Sequence, residues 1–312
     1  MTEVTQDDDG PLGIFEAHRA RLFGLAYRLL GEAAEAEDVL QDAYLRWSAA
    51  AAQGSVEVPG AWLTKAVTNL CLTRLTSARA RREQYVGPWL PEPVFTGTGG
   101  PGTGTGTGGT VPGPLETAEQ RDSVSMGVLV LLERLTPAER AAFVLREAFG
   151  HRHAEIADVL GISEAHSRQL HRRAREHVRR PGRRFEADPE RRAEVVRRFM
   201  AAALEGDVEA LERTLAEDVT AWSDGGGKVT AARHPVTGRS QVARLLAGIG
   251  THPRGAGADV TLREVNGEPA IVVHLDGALY LVMFPEVEDG RVTAVRSVLN
   301  PEKLAHAARH SM

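Results

Sequence analysis

The 312-residue chain is 42% hydrophobic and 25% charged, with a net charge of −5 and a single cysteine. Such a composition fits a globular protein of two or three domains and excludes an internal disulfide. No run of about 18 apolar residues exists, which excludes a membrane-spanning helix. The acidic start (Asp7, Asp8, Asp9) lacks the basic-then-apolar layout of a secretion signal, so a cytoplasmic protein with no membrane partner is expected.

Charge is unevenly distributed. Residues 1–60 hold eleven acidic residues and four arginines, whereas residues 166–184 hold eight arginines and one glutamate, Glu176. A smaller basic knot comprises Lys65, Arg74, Arg79, Arg81 and Arg82. Two basic clusters in separate helical regions suit a phosphate backbone, from which they release counterions.

Residues 12–93 read as a helical domain. Leu22, Phe23, Leu25, Ala26, Leu29 and Leu30 recur at helical spacing, Gly31 ends that helix, and a second starts near Glu35. In the second, Val39, Leu40, Ala43, Tyr44 and Trp47 form a core stripe. Asp38, Gln41, Asp42 and Leu45 form an adjoining acidic-apolar face suited to a basic partner helix. Cys71, among Leu70, Leu72 and Leu75, is a core residue. Residues 94–114 are a Gly/Thr/Pro-rich linker.

Residues 115–184 are predicted helical again, with Pro137 at one helix start and Gly150 at its end. Ala154–Leu160, the turn Gly161-Ile162-Ser163 and Glu164–Arg179 have helix-turn-helix form. Ser167, Leu170, Ala174 and Val178 should face its core. Glu164, Arg168, Arg172, Arg175 and Arg179 fall on the opposite face, where base edges and phosphates are met. His151-Arg152-His153 is expected to be an exposed loop before the first of these helices.

From residue 188 to 312 the pattern becomes α+β. Two helices (about 190–204 and 207–215) lead into a strand, a helix and an antiparallel meander. The meander strands are Val260–Val265, Ala270–Leu275, Ala278–Phe284 and Val292–Leu299, punctuated by Asn266-Gly267, Asp276-Gly277 and Asp289-Gly290. Asp218, Asp224, Asp259, His234 and His274 are the candidates for acid–base chemistry. That chemistry asks for a carboxylate buried at a pocket floor with a Tyr or His donor. Asp224, in front of Gly225-Gly226-Gly227-Lys228, reads instead as a surface loop near a pocket rim, and His274 as a half-buried strand residue. Scattered histidines and one cysteine give no metal-ligand spacing, and no cofactor is implied.

The stretches Asp38–Trp47, Pro59–Asn69 and the helix-turn-helix block resemble the second and fourth conserved regions of extracytoplasmic-function (ECF) RNA polymerase sigma factors. Further likeness to one subgroup lies in Tyr85–Pro93, Asp224–Lys228 and Asn300–Leu304. Members of that subgroup carry a SnoaL-like (NTF2-like) extension. The fold implied is multidomain: two all-α sigma domains, the second with a helix-turn-helix, and a cone-shaped α+β tail. The implied function is transcription initiation with core RNA polymerase (β′ and β subunits) on promoter DNA, with no covalent chemistry of its own.

The resemblance also implies residue roles. Asp38, Gln41, Asp42 and Leu45 would bind polymerase. Trp62, Lys65, Asn69, Arg74, Arg79, Arg81 and Arg82 would open and hold the −10 element. Ser163, Glu164, Arg168, His171, Arg172, Arg175 and Arg179 would read the −35 element. Trp89, Pro91, Asp224, Gly225, Gly226, Lys228, Asn300, Pro301 and Lys303 would form an intramolecular regulatory interface, and the tail could take a small ligand. The alternatives are a SnoaL-type enzyme and a ligand-responsive helix-turn-helix regulator. A regulator of that kind needs neither the 38–47 face nor Trp62–Glu83.

Overall fold

The computed structural model describes residues 10–54, 56–96, 124–178, 188–255 and 257–309. They form two compact units, one of residues 10–81 and 131–178, the other of residues 82–96, 124–130 and 188–309.

The first unit is helical. It begins with α1 (Pro11–Leu30), α2 (Ala33–Ala52) and α3 (Pro59–Glu83), the last reaching two residues into the second unit. Gly31 ends α1 at φ 71, and its N–H bonds Tyr27 O. Helix α2 starts at Ala33, two residues before the sequence expectation, because Ala33 and Ala36 are fully buried and draw the first turn into the core. Leu25, Ala26, Leu29, Val39, Leu40, Ala43, Trp47, Leu63, Val67 and Cys71 are buried. The expected stripe is thus in place, with Tyr44 half-buried and its ring 5.1 Å from Phe15. Burial pushes the Cys71 thiol pKa up, so it stays an inert core group.

After α4 (Met126–Leu132) come α5 (Pro137–Glu147), α6 (His153–Leu160) and α7 (Glu164–Val178). Thr136 and Glu139 form a reciprocal capping box with Pro137 at the first helical position. Arg140, 2% exposed, is the polar hinge of this unit: Nη1 donates to Leu29 O (2.6 Å) and Nε to Leu132 O (2.9 Å). These are last-turn carbonyls of α1 and α4. One buried guanidinium therefore satisfies groups that two helix ends leave unpaired.

The second unit contains α8 (Pro189–Glu205), α9 (Val208–Thr214), β1 (Leu215–Asp224), β2 (Val236–Thr237), α10 (Arg239–Gly250), β3 (Asp259–Val265), β4 (Glu268–Leu275), β5 (Ala278–Glu288), β6 (Arg291–Val298) and α11 (Pro301–Ala308). The sheet order is β2-β1-β6-β5-β4-β3; β1 and β6 are parallel and the other pairs antiparallel. The three expected turns have left-handed backbone at both residues (Asn266 55° and Gly267 70°; Asp276 50° and Gly277 78°; Asp289 50° and Gly290 73°), as tight type I′ hairpins require. Strand β5 continues past Phe284, where the sequence reading stopped it. Its pairing with β4 reaches only Met283, so the absent N–H of Pro285 breaks no bond on that side.

One face of the sheet packs on α8, α9 and α10 through Val195, Val196, Phe199, Leu211, Val242, Leu246 and Val295. The other face carries Val265, Ala270, Val272, Val282, Phe284 and Val298, covered by Leu90, Met126 and Leu304. This is the α+β tail expected. Its second face is roofed by pieces of chain that flank the Gly/Thr/Pro-rich linker.

Candidate functional site

On α2, Asp38, Gln41 and Leu45 are exposed and Asp42 is half-buried; Leu45 is 67% exposed. Arg74 on α3 reaches across to this face, its Nη1 2.6 Å from Glu35 Oε2 and its Nη2 2.8 Å from Asp42 Oδ2. Asp38 lies 3.8 Å away. Burial opposes the Arg74 charge, but the bonds to Glu35 and Asp42 outweigh it and raise its pKa. Arg74, expected among the −10 contacts, is therefore committed to the acidic face of α2.

The remaining residues of that group are divided. Trp62 is half-buried against Trp47, with ring centroids 5.8 Å apart. Lys65 Nζ donates to both oxygens of Asp158 on α6 (3.3 Å each), and Asn69 is exposed. The Arg82 guanidinium is stacked 3.7 Å above the Trp89 ring. The side chains of Arg79 and Arg81 lie outside the described residues.

The helix-turn-helix is closed by Gly161, φ 66, whose N–H bonds Ala157 O. Ser163 Oγ accepts from His166 N (3.2 Å), so this residue caps the recognition helix α7. Ser167 and Ala174 are fully buried and Leu170 is 6% exposed, while Val178 is half-buried. Ser167, an unusual choice in a core, is reconciled by His153 Nδ1 at 3.1 Å. His153 thus belongs to the first turn of α6 and is half-buried, and His151 is half-buried as well. Of the stretch expected to be exposed, Arg152 is exposed, whereas His153 packs against Ser167 and His171 of α7 and His151 Nδ1 lies 3.5 Å from Glu155.

Glu164, Arg168, Arg172 and Arg175 are exposed on α7. Arg168 forks onto Glu164 Oε1 (2.8 and 3.0 Å), and Arg172 and Arg175 stand 4.0 Å from Glu176 and Glu147. His171 departs from its expected place at the DNA. Its Nε2 sits 2.6 Å from Glu147 Oε1, and its ring is 5.5 Å from His153 and 6.3 Å from Phe143. It docks α7 on α5 rather than facing outward. Arg179 lies outside the described residues.

In the tail, Asp224 overturns its sequence reading. It is fully buried, because it ends β1 and its side chain turns onto the covered face of the sheet. Its carboxylate accepts from Tyr85 Oη (2.5 Å), Leu90 N (2.8 Å), Gly226 N (3.1 Å) and Lys303 Nζ (2.7 Å). Lys303 Nζ also donates to Leu90 O and lies 4.7 and 4.1 Å from the Tyr85 and Trp89 ring centroids. Burial and the adjacent Asp224 push the Tyr85 pKa well up, so the phenol remains a donor.

Asn300 caps α11, accepting from Glu302 N (3.0 Å), and donates Nδ2 to Tyr85 Oη (2.8 Å). Gly226 has φ 59, and a Cβ there would strike the Asn300 amide, so only glycine fits. Gly225, Pro91 and Lys303 are buried, Pro301 is exposed, and Lys228 makes an exposed pair with Glu302 at 3.0 Å. This clasp holds residues 85–90 to the tail. Sequence reasoning missed Tyr85 as a participant, although it opens the Tyr85–Pro93 stretch.

The buried carboxylate with a tyrosine donor is what acid–base chemistry would ask for, yet four donors already occupy it. Asp218, Asp259 and His234 are exposed and His274 is half-buried. No cluster of three metal-ligating side chains occurs among the described residues. No described helix is long and apolar enough to cross a membrane.

The Sigma-70 region 2 family model matches residues 14–81 and the Sigma-70, region 4 model residues 125–178. The ECF RNA polymerase sigma factor SigJ of Mycobacterium tuberculosis is 40% identical over 301 residues, covering 93% of this chain and 91% of SigJ. A probable ECF RNA polymerase sigma factor of the same species, SigI, is 29% identical over 93% of each chain. The crystal structure of SigJ matches with a TM-score of 0.72 at 37% identity, covering 94% of this chain and 98% of that one. The chain belongs to the ECF RNA polymerase sigma factors, and as a sigma factor it works with core RNA polymerase on promoter DNA.

Proposed function

We propose that this sigma factor is governed by its own tail through the Asp224 clasp, without a catalytic step and in the cytoplasm. Asp38, Gln41, Asp42 and Leu45 dock on a basic helical part of the β′ subunit, with Arg74 holding the carboxylates in place. Lys65 and Asn69 contact the −10 region, and Glu164, Arg168, Arg172 and Arg175 read the −35 element. The observation that carries the regulatory part is the burial of Asp224 and Lys303 around Leu90, inside the segment joining the two promoter-reading domains. A tethered domain acts at high effective concentration, so even modest contacts hold that segment. The complete occupation of Asp224 argues against the SnoaL-type enzyme alternative.

Run-off transcription with purified core enzyme tests this. Asp224→Asn and Trp89→Ala in the full chain should change promoter-dependent output relative to wild type. Equal output from all three proteins would defeat the regulatory reading. Reversing Asp38 and Asp42 to lysine should abolish co-purification with core polymerase at unchanged helix content.

A further inference from the structure

The hairpin turn between β3 and β4 does more than reverse the chain. Asn266 is fully buried. Its Oδ1 accepts from Val94 N (3.0 Å), its Nδ2 donates to Val124 O (2.9 Å), and its own N–H donates to Val94 O (2.8 Å). Beside it, Thr96 N donates to Glu264 O (3.2 Å), Gly267 N donates to Thr96 Oγ1 (2.8 Å), and Phe95 bridges Val265 as an added antiparallel rung on the edge strand β3. Glu268 Oε1 accepts from Met126 N (2.9 Å). Residues before and after the Gly/Thr/Pro-rich linker are thereby fastened to one amide side chain.

The consequence is one of reach. Thirty peptide units separate Val94 from Val124, a contour of up to ~100 Å. With both residues bonded to Asn266, that contour contributes nothing to the distance between the −10-reading and −35-reading domains. Each base pair added between the two promoter elements moves one from the other by ~3.4 Å and turns it by roughly a tenth of a helical turn. A fastened chain feels such a step, whereas a 30-residue tether absorbs it.

We infer that Asn266, with Glu268, determines which spacer lengths between the −35 and −10 elements this sigma factor accepts. This rests on the reading of the tail as a partner of the inter-domain segment, but it concerns selectivity rather than total output.

The test uses the full chain and core polymerase on a promoter selected by the wild-type protein from a randomised library. That promoter is then rebuilt with the spacer altered in single-base-pair steps. Asn266→Gly keeps the left-handed turn and removes the side-chain bonds to Val94 and Val124; Glu268→Ala removes the bond to Met126. Both variants should widen the profile. Relative output two base pairs from the optimum should rise about fivefold for Glu268→Ala, the factor that loss of one net hydrogen bond produces, and by more for Asn266→Gly.

Hydrogen exchange at the Val94 amide should accelerate in Asn266→Gly. If that variant fails to fold, Glu268→Ala decides alone. A normalised profile identical to wild type, whatever the total output, overturns the inference. A widened profile with a silent Asp224→Asn would keep it and sink the clasp reading instead.

Discussion

Two ion pairs of nearly equal length behave in opposite ways. Glu164 and Arg168 are four residues apart on one helix and meet at 2.8 Å, with side chains about half exposed. Asp224 and Lys303 are 79 residues apart, meet at 2.7 Å, and are 0% and 7% exposed. The first pair is weak in water, easily exchanged for a phosphate or a base edge, and so suits recognition. The second has given up its hydration and is repaid only by complete bonding, so removing one member strands the other. The proposed promoter contacts and the proposed tail control thus draw on the same chemistry in two dielectric environments.

The largest expected effect comes from breaking the buried member of this comparison. Asp224→Ala leaves Lys303, Tyr85 and the Leu90 N–H facing an empty site. It should lower tail stability by about 3–5 kcal/mol, read as accelerated hydrogen exchange across β1 and β6. A loss under about 1 kcal/mol would mean the pair behaves like a surface one. On the exposed side, Arg168→Ala and Arg172→Ala should cost about 1–3 kcal/mol of binding at particular −35 positions and little at others, measured with a panel of single-base variants.

Between the two extremes stands His153, half-buried against Ser167. Burial lowers its pKa, assisted by His171, Arg146 and Arg168 and opposed by Glu164. A depressed histidine contributes stability that is fully present above the unfolded value of about 6.5 and is lost as pH falls through the folded value beneath it. The helix-turn-helix should therefore soften on acidification from neutral pH, and His153→Gln should flatten that slope in thermal melts. The smallest effect is expected for Glu164→Ala, within about 0.5 kcal/mol of wild-type stability.

Much of this was legible in the residues. The Asp38–Trp47 stripe, the Gly161 turn and the three Asn-Gly or Asp-Gly hairpins are local patterns, where spacing and positive-φ preference act within a few positions. The Arg74 pairing was not, since a basic residue on α3 reads alike whether it faces DNA or carboxylates 32 and 39 residues away. His171 was misplaced for a related reason: its helical phase gives a face, but only α5 supplies Glu147.

The class of protein was legible through the likeness of its motifs to a known family, and the sequence by itself determined the order of its helices and strands and the exposed charges of the recognition helix, because these depend on neighbours within one or two turns. Only the tertiary structure decided that Asp224 is buried and that Asn266 fastens Val94 and Val124. Their partners are 134–139 and 142–172 residues away in the chain outside the tail itself. Burial of a polar group is set by whichever distant segment arrives with matching donors, and no local pattern encodes that arrival.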